Sequence, residues 1–299
     1  MEVIVNFEDL RKFIHLARSQ NIQICANELN LTSGALSKTL KKIESALNTE
    51  LFNRTGRNIV LNNQGKKFHQ YASQLVHDYD QMFSEFSHNN TSPIVNLVGP
   101  SVLLNHATGN LLAKIESANL TCHMTSMFEG QAIEEVLNGK AHIAIVTQEA
   151  LSVDSQTQLE STPIGFTHFR LVMGINHTLS NRKPLELAEL LKQPFVCPAT
   201  SVFCGLERGV GSDSWPDKIH PRKIRYRTDD FSSLLSIVER GQALAYIPAL
   251  AIDKNRMIDI TPSNFEHGNK EEYFLVYRPS FAHGWLNQLM MNVKKVNTL

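Results

Sequence analysis

The sequence predicts a small helical region followed by a larger α/β region. Residues 1–92 contain three glycines and no proline, so little in that stretch interrupts helices. From Pro93 onward, short apolar runs alternate with helical periods, and Gly and Pro recur between them. The polar run at residues 88–93 marks the predicted boundary between the two regions.

The composition is that of an ordinary globular protein without net charge. The 299 residues include 29 Lys+Arg and 29 Asp+Glu, which excludes a globally basic nucleic-acid coat but allows a locally basic domain. No apolar stretch approaches the ~20 residues of a membrane helix, and the acidic start of the chain does not fit a secretory signal. Four scattered cysteines do not form a disulfide framework. We therefore expect a cytoplasmic protein that does not bind membranes.

Three short helices are predicted at the N-terminus. The first has an apolar face formed by residues 10–17, Asn21 is placed to cap the second, and Thr32 is placed to cap the third. The third helix has a predicted buried stripe of Leu36, Leu40, Ile43 and Leu47. Its other face carries small hydroxyls and bases, namely Ser33, Gly34, Ser37, Lys38, Lys41 and Lys42.

This arrangement is what a reader of the DNA major groove requires. Small residues at the start of a helix allow close approach to base edges, and lysines meet the flanking phosphates. Residues 51–61 are predicted to form a two-stranded wing with Arg54 and Arg57 at its basic tip. Residues 32–67 carry seven basic and two acidic side chains, which fits the same use. The alternative is an ordinary helical bundle with a basic surface.

Four motifs connect this region to a known family. They are Cys25-Ala26-x-x-Leu29, then Ala35-Leu36-Ser37-Lys38-x-Leu40-x-x-Ile43-Glu44-x-x-Leu47, Leu51-Phe52-Asn53-Arg54, and Leu61-Asn62-x-x-Gly65. With them, residues 7–65 resemble the winged helix-turn-helix of LysR-type transcriptional regulators. Departures from the family pattern are Cys25, Ser33-Gly34, Asn48 and Asn62, of which the two asparagines suit a left-handed turn and a helix cap. The predicted DNA-binding residues are Thr32, Ser33, Ser37, Lys38, Lys41, Lys42, Arg54 and Arg57.

A long linker helix is predicted to follow. Residues 66–92 contain no Gly or Pro, and a helix over residues 66–88 would be about 35 Å long. Its apolar residues recur at heptad spacing, which predicts a dimerisation seam of Phe68, Ala72, Leu75, Tyr79, Met82 and Phe86. A helix packed on its own domain is the alternative. The resemblance implies dimers, commonly assembled into tetramers.

The remaining two-thirds alternates strands with helices. We predict strands at 94–99, 120–127, 141–147, 169–173, 194–197, 223–227, 243–247 and 273–277, and helices from 102 and at 131–137, 185–191, 231–240 and 285–296. Such alternation predicts parallel sheets. The chain is predicted to form two lobes and to pass between them twice, near residues 164–168 and near residues 262–270.

This region also resembles the effector-binding domain of LysR-type regulators, which is built like periplasmic binding proteins. The matching motifs are Gly139-Lys140-Ala141-His142-Ile143-Ala144-Ile145 and residues 239–248, with His142 in place of the customary aspartate. The domains are then 1–65 for DNA binding, 66–92 for linker and dimerisation, and 93–299 for the effector. Within the last, lobe I takes about 93–165 and 268–299, and lobe II about 166–267.

The effector is expected beyond the carboxyl ends of the strands, against helix N-termini. That position selects Ser101, Thr147, Thr200, Ser201, Phe203 and Tyr246. Helix dipoles and hydroxyls without an obvious arginine suggest a small anionic or polar metabolite. The expected partners are promoter DNA, a second copy of the chain, this small molecule and, through the resemblance, RNA polymerase.

Other chemistries are not predicted. No histidine or cysteine spacing fits a metal site, and no nucleophile or dinucleotide motif is present, so we expect neither cofactor nor enzyme activity. Cys197 and Cys204 lie where peroxide-sensing members of the family carry their redox pair, which leaves a thiol-based sensor as one alternative. The other is a solute-binding α/β protein whose helical N-terminus only mediates oligomerisation.

Overall fold

The chain folds into two compact units, described here from a computed structural model. The structure describes residues 5–55, 58–86, 93–151, 158–182, 184–262, 265, 270–282 and 284–296. One unit holds the first four helices and a two-stranded sheet, and the other is built around the remaining sheets. The predicted order of a helical region followed by an α/β region is confirmed.

The helices of the described residues are α1 (Phe7–Ser19), α2 (Ile22–Glu28), α3 (Ser33–Leu47), α4 (Asn63–Phe86), α5 (Ser101–His106), α6 (Gly109–Ser117), α7 (Glu129–Leu137), α8 (Leu187–Leu190), α9 (Phe231–Glu239) and α10 (Gly284–Val296). The strands are β1 (Phe52–Thr55), β2 (Asn58–Leu61), β3 (Ile94–Gly99), β4 (Thr121–Ser126), β5 (Ile143–Thr147), β6 (Glu160–Gly174), β7 (Pro194–Pro198), β8 (Lys223–Thr228), β9 (Ala245–Pro248), β10 (Met257–Asp259) and β11 (Lys270–Tyr277). Short 3₁₀ turns lie at Gln148–Ala150, Ala249–Ala251 and Pro279–Phe281.

Caps and a shared apolar core define the N-terminal unit. Asn21 accepts the Gln23 and Ile24 N–H groups at the start of α2, and the Thr32 hydroxyl accepts the Ala35 N–H at the start of α3. Both predicted caps are therefore confirmed. The core joins α1, α2, α3, the wing and α4, with these side chains fully or almost fully buried: Leu10, Phe13, Leu16, Cys25, Ala26, Leu36, Ile43, Leu51 and Ala72.

The predicted stripe of α3 is shorter in the structure. Leu36 and Ile43 are buried and Leu40 is half-buried, but Leu47 is exposed, which corrects its assignment to the core. Leu47 is the last residue of the helix, where Asn48 turns the chain with φ 49°. Because the helix ends at Leu47, this side chain lies beyond the part of α3 that packs against the rest of the domain.

The wing is joined closely to α4. The strands β1 and β2 pair antiparallel, as predicted, with Phe52 opposite Leu61. The side-chain amide oxygen of Asn62 accepts the Gly65 N–H at 2.8 Å, and this hydrogen bond caps the start of α4. A Cβ atom at Gly65 would lie 1.9 Å from the Leu51 carbonyl oxygen, so this close approach requires glycine.

The second unit is a mixed sheet rather than a purely parallel one. Its strand order is β10-β6-β11-β5-β3-β4, with β9 also paired to β6, and β7-β8 form a separate pair. The pairs of β3 with β4 and β5, and of β7 with β8, are parallel, as expected. Pairing of β11 with β5 and β6, and of β9 and β10 with β6, is antiparallel. The expectation of purely parallel sheets was wrong, because β11 runs antiparallel beside β5 and β6, and β9 and β10 run antiparallel beside β6.

One long strand passes from lobe I into lobe II. The 15-residue strand β6 pairs with β11 through its first part and with β9 and β10 through its last part. The predicted crossing at residues 164–168 therefore lies inside one continuous strand. The second crossing leads into β11, and residues 263–264 and 266–269 of it lie outside the described residues.

Three short elements of this unit also differ from the prediction. The helix expected from residue 102 is two helices, α5 and α6, separated at Ala107-Thr108. The helix expected over residues 185–191 is only α8 with four residues, and β10 was not predicted. Short elements contain too few residues for a periodic pattern to define them.

Candidate DNA interface and ligand cleft

The exposed face of α3 gathers most of the residues predicted to contact DNA. These side chains lie on one face and are exposed or half-buried: Ser33, Ser37, Lys38 and Lys41. Thr32 holds the start of the helix, because its Oγ1 accepts the Ala35 N–H at 3.1 Å. The opposite face buries Leu36 and Ile43 in the core. The helix is thereby fixed with its cationic side toward solvent.

Lys42 has a partner inside the domain. Its Nζ lies 2.6 Å from Oδ2 of Asp9, a buried carboxylate in the first turn of α1. Although burial raises the pKa of Asp9, the hydrogen bonds from Lys42 and from the Asn6 N–H together lower it. Lys42 therefore ties α3 to α1, and a phosphate contact of Lys42 would compete with this ion pair.

Replacing Lys42 with methionine should lower the free energy of unfolding by roughly 1–2 kcal/mol, because Asp9 would stay buried without its cation. Since the folded-state pKa of Asp9 lies below its ordinary value of 3.8, the pair stabilises the fold above that pH. Its contribution is lost as the pH falls through the folded-state pKa. Urea unfolding at a series of pH values from 7 to about 3 measures this.

The exposed Lys41→Met is the matched control for that experiment, and it should unfold like the wild type throughout the series. A stability loss in Lys42→Met that is the same at every pH would contradict the ion-pair role.

The wing residues are only partly described. Arg54 lies in β1, and its side chain is outside the described part of the structure. Arg57 also lies outside the described residues. Their phosphate contacts remain predictions from the sequence.

The linker helix α4 uses two faces. Phe68 packs edge-on against Phe13 with ring centroids 4.9 Å apart, and Ala72 is buried in the same core. Tyr79 stacks on Phe7 at 4.3 Å. Ala72 is thus covered by the domain's own core, while Phe68 and Tyr79 are half-buried and contact the same domain.

A different apolar stripe of α4 faces solvent. Leu75 and Met82 of the predicted seam are 51% and 48% exposed, and Tyr71, which the seam omitted, is 62% exposed. Spacings of four and seven residues place Tyr71, Leu75 and Met82 on one side of the helix. The side chain of Phe86 lies outside the described part of the chain. We name Tyr71, Leu75 and Met82 the α4 stripe.

Two adjoining cavities form a cleft in the second unit. The smaller has a free volume of about 10 Å³, which is room for roughly one water molecule, and four of its lining residues were predicted: Thr147, Ser201, Phe203 and Tyr246. The larger, more open one has a free volume of about 760 Å³ and is lined by Ser101, Thr200 and again Ser201. The structure thus brings all six predicted effector residues to one cleft.

Five charged residues of the smaller cavity were missed: Glu129, Glu149, Arg208, Asp213 and Glu271. Arg208 also corrects the expectation that the cleft has no arginine. Its Nη1 lies 2.5 Å from a carboxylate oxygen of Glu149. These residues come from separate turns and strand ends, and no sequence motif marks them. Only the fold brings them together.

Glu129 is the most buried of these charges. Its side chain is almost fully buried, and its Oε1 accepts the Thr147 N–H at 2.6 Å. Burial raises the pKa of Glu129, and the Thr147 hydrogen bonds oppose that shift. Burial also raises the pKa of Glu271, with further contributions from Glu149 and Glu129. The carboxylates therefore repel one another, while Arg208 attracts both Glu129 and Glu271.

A buried ion pair lies in the wall of the smaller cavity. Arg222 donates two hydrogen bonds to Asp213, at 2.7 and 2.8 Å, and two to Asp217, at 3.0 and 3.3 Å. Its guanidinium also lies 5.2 Å from the Trp215 ring centroid and 5.3 Å from that of Phe195. This pairing neutralises Asp213 where it lines the cavity.

The cysteines do not have the setting of a redox pair. Cys197 lies fully buried in β7, and burial together with the nearby Asp213 raises the pKa of its thiol. Cys204 is half-buried in the following loop and lines the smaller cavity. Because the thiolate is the reactive form, a buried Cys197 with a raised pKa is a poor peroxide sensor. The redox alternative is not favoured.

We expect Cys197 in the folded protein to react with a thiol reagent at least about tenfold more slowly than Cys204, because it is buried and protonated. Mass spectrometry after timed alkylation with iodoacetamide measures both rates. Peroxide should leave the DNA affinity of the wild type and of Cys197→Ser equal. A peroxide-dependent change that disappears in Cys197→Ser would restore the redox alternative.

Comparisons with known proteins agree with this two-part organisation. The family model described as the bacterial regulatory helix-turn-helix protein, lysR family, matches residues 7–66. The model described as the LysR substrate binding domain matches residues 95–288. The uncharacterised HTH-type transcriptional regulator YbhD of Escherichia coli strain K12 is 23% identical over 247 residues, which cover 81% of this chain and 76% of that one.

Solved structures show the same fold. A cysteine-to-aspartate variant of full-length OxyR from Pseudomonas aeruginosa aligns with a TM-score of 0.62 at 14% identity, covering 98% of this chain and 95% of that one. DarR from Vibrio fischeri, solved in complex with DNA, aligns with a TM-score of 0.54 at 17% identity, covering 98% and 99%.

A winged helix-turn-helix joined to a two-lobed domain with a cleft defines a DNA-binding transcriptional regulator that responds to a small molecule. The chain belongs to the LysR family of transcriptional regulators. That family consists of regulators and not of enzymes. In the part of the chain that the structure describes, no helix has the length and apolar character to cross a membrane.

Proposed function

We propose that this LysR-type regulator acts in the cytoplasm as a homodimer, which pairs further into a tetramer on promoter DNA. Residues 1–65 bind DNA, residues 66–92 link and dimerise, and residues 93–299 bind the effector between lobes I and II. The single observation that carries the proposal is the exposed, cationic and small-residue face of α3 on a fully packed helix-turn-helix.

The DNA contacts divide into two kinds. Ser33, Ser37 and Lys38 lie near the start of α3 and would meet base edges in the major groove. Thr32, Lys41, Arg54 and Arg57 would meet phosphates. Lys42 is left out of this set because its ammonium group binds Asp9.

Dimerisation would bury the α4 stripe against the same stripe of a second copy. Three large apolar side chains that are about half exposed or more on one helix face are costly to leave in water. A twofold dimer also presents two helix-turn-helix units to the two half-sites of an inverted repeat.

The effector would act by stabilising one arrangement of the lobes over another. β6 runs through both lobes, so a ligand that contacts both lobes biases their relative position. The changed arrangement alters the contacts of the dimer with its promoter, and with RNA polymerase as a further partner.

Recovery of genomic DNA tests the proposal directly. Purified full-length protein is incubated with fragmented genomic DNA at near-physiological salt, and the bound fragments are sequenced. We expect enrichment of a few promoters that share an inverted repeat. Uniform recovery without any shared sequence, with the protein folded and with the 1–92 fragment giving the same result, would contradict the proposal.

A further inference from the structure

The larger cavity has the room that a ligand site needs. Its free volume is about 760 Å³. Small-molecule pockets have roughly 300–1,000 Å³, whereas the smaller cavity holds about one water molecule. Lobe I supplies Ser101 to the wall of the larger cavity, and lobe II supplies Thr200. A small molecule in the cleft would therefore occupy the larger cavity.

Both walls of this cavity carry hydrogen-bonding groups that the described residues leave unused. Ser101, Thr125 and Ser126 contribute hydroxyls from lobe I, where Gln131 adds an amide, and Thr200 contributes a hydroxyl from lobe II. Within the described part of the chain, none of these five side chains bonds to another residue. Hydroxyl and amide groups both donate and accept hydrogen bonds. Such walls suit a ligand that has several hydroxyl groups of its own.

The cavity offers little to an anion. Its described lining contains no lysine, arginine or histidine. Helices α7 and α9 begin at the cavity, but each already has an acidic side chain at its positive end. Glu129 lies in the first turn of α7, and Asp230 accepts the Ser233 N–H at 2.7 Å as the cap of α9. Helix α5 has only six residues, so few peptide dipoles add up along it.

The acidic residues of the lining do not require a cation. Asp229 and Asp230 are both exposed, so water and salt screen their charges. The Asp230 carboxylate is also engaged as the cap of α9. An uncharged ligand therefore suits this wall better than a charged one.

An aromatic ring gives the cavity an apolar face. Phe128 lines the cavity and is 46% exposed. Gly205 packs closely against this ring, since a Cβ atom at Gly205 would lie 2.5 Å from Cδ2 of Phe128. The C–H groups of a sugar ring carry partial positive charge and pack on the negative face of an aromatic ring. Phe128 can therefore hold one face of a sugar while the polar walls bond to its hydroxyl groups.

We propose that the effector is an uncharged monosaccharide in its ring form, whose hydroxyl groups bond to Ser101, Thr125 and Thr200 and whose C–H face lies against Phe128. The inference rests on the proposed function of the cleft. It narrows the anionic or polar metabolite that the sequence suggests to an uncharged polar one.

Sugars that share a ring and differ in charge test the proposal. Isothermal titration calorimetry on the full-length protein compares glucose, glucuronate and glucosamine, and then galactose, galacturonate and galactosamine. We expect the neutral sugar of at least one series to bind about tenfold or more tightly than its uronate and its amino sugar. The proposal is overturned if a uronate or an amino sugar binds more tightly than its neutral sugar in both series, or if neither neutral sugar has a dissociation constant below about 1 mM.

Two variants test the contacts with the sugar. Thr200→Val keeps the size of the side chain and removes its hydroxyl, and Phe128→Ala removes the aromatic face. Each should weaken binding of the neutral sugar at least about fivefold. Thr121→Val, at the exposed start of β4 and outside the cavity lining, is the matched control and should bind like the wild type. Equal affinity of Thr200→Val, Phe128→Ala and the wild type would overturn the assignment to this cavity.

The same preparations are assayed for binding to the recovered promoters. Specific DNA binding together with failure of the neutral sugars overturns the sugar effector and leaves the regulator function intact. Loss of specific DNA binding in the wild type contradicts the proposed function instead.

Discussion

Replacing Lys41 and Arg54 together with alanine should weaken binding to every DNA sequence about 30-fold at about 0.15 M salt. Each phosphate contact contributes about 0.9 to the slope of log K against log salt, so two lost contacts remove about 1.8 and give this factor. Lys41 is exposed on α3 and Arg54 lies in β1 of the wing. Fluorescence anisotropy with labelled promoter DNA over a range of salt concentrations measures affinity and slope together.

The double variant Lys192→Ala with Lys254→Ala is the matched control, because it removes two exposed cations from the second unit. It should bind DNA like the wild type with the same slope. An unchanged slope in the Lys41 and Arg54 variant, or a loss confined to one DNA sequence, would exclude the phosphate role of these two residues.

Replacing Leu75 with glutamate should convert the dimer to a monomer at micromolar concentration. The substitution places a charge at the centre of the α4 stripe in both copies, and burial of each unpaired charge costs several kcal/mol. We expect the dissociation constant of the dimer to rise at least about 100-fold. Sedimentation equilibrium measures this, and binding to a full inverted repeat should fall toward that of one half-site.

Gln70→Glu is the control for that variant, since it adds the same charge to α4 about a third of a turn away from the stripe. It should remain dimeric. A dimeric Leu75→Glu, or dissociation of both variants alike, would show that the α4 stripe is not the interface.

Local patterns were sufficient to predict the N-terminal unit. Asn21 and Thr32 cap their helices as expected, because a capping side chain bonds to N–H groups only two or three residues away. Cys25 is fully buried where the family usually has alanine. This was also predictable, because its place along α2 decides that its side chain points to the core. The order of strands and helices in the second unit also follows from local apolar periods.

Partnerships between distant segments were not predictable. Lys42 looked identical to Lys41 in the sequence, yet it binds Asp9, 33 residues earlier. Phe68 and Ala72 satisfied a heptad spacing, yet they face the core while Tyr71 faces solvent. Periodicity identifies an apolar side of a helix, but the neighbouring elements decide which part of it they cover.

The sequence by itself determined the class of the protein, the location of its DNA-reading helix and the six hydroxyl and aromatic residues of its cleft. Those features depend on spacings along one element or on the end of one strand. The tertiary structure alone decided the charge of the cleft, because Glu129, Glu149, Arg208 and Glu271 come from four separate places in the chain. Electrostatic energy depends on distance through space, and only the folded chain sets those distances.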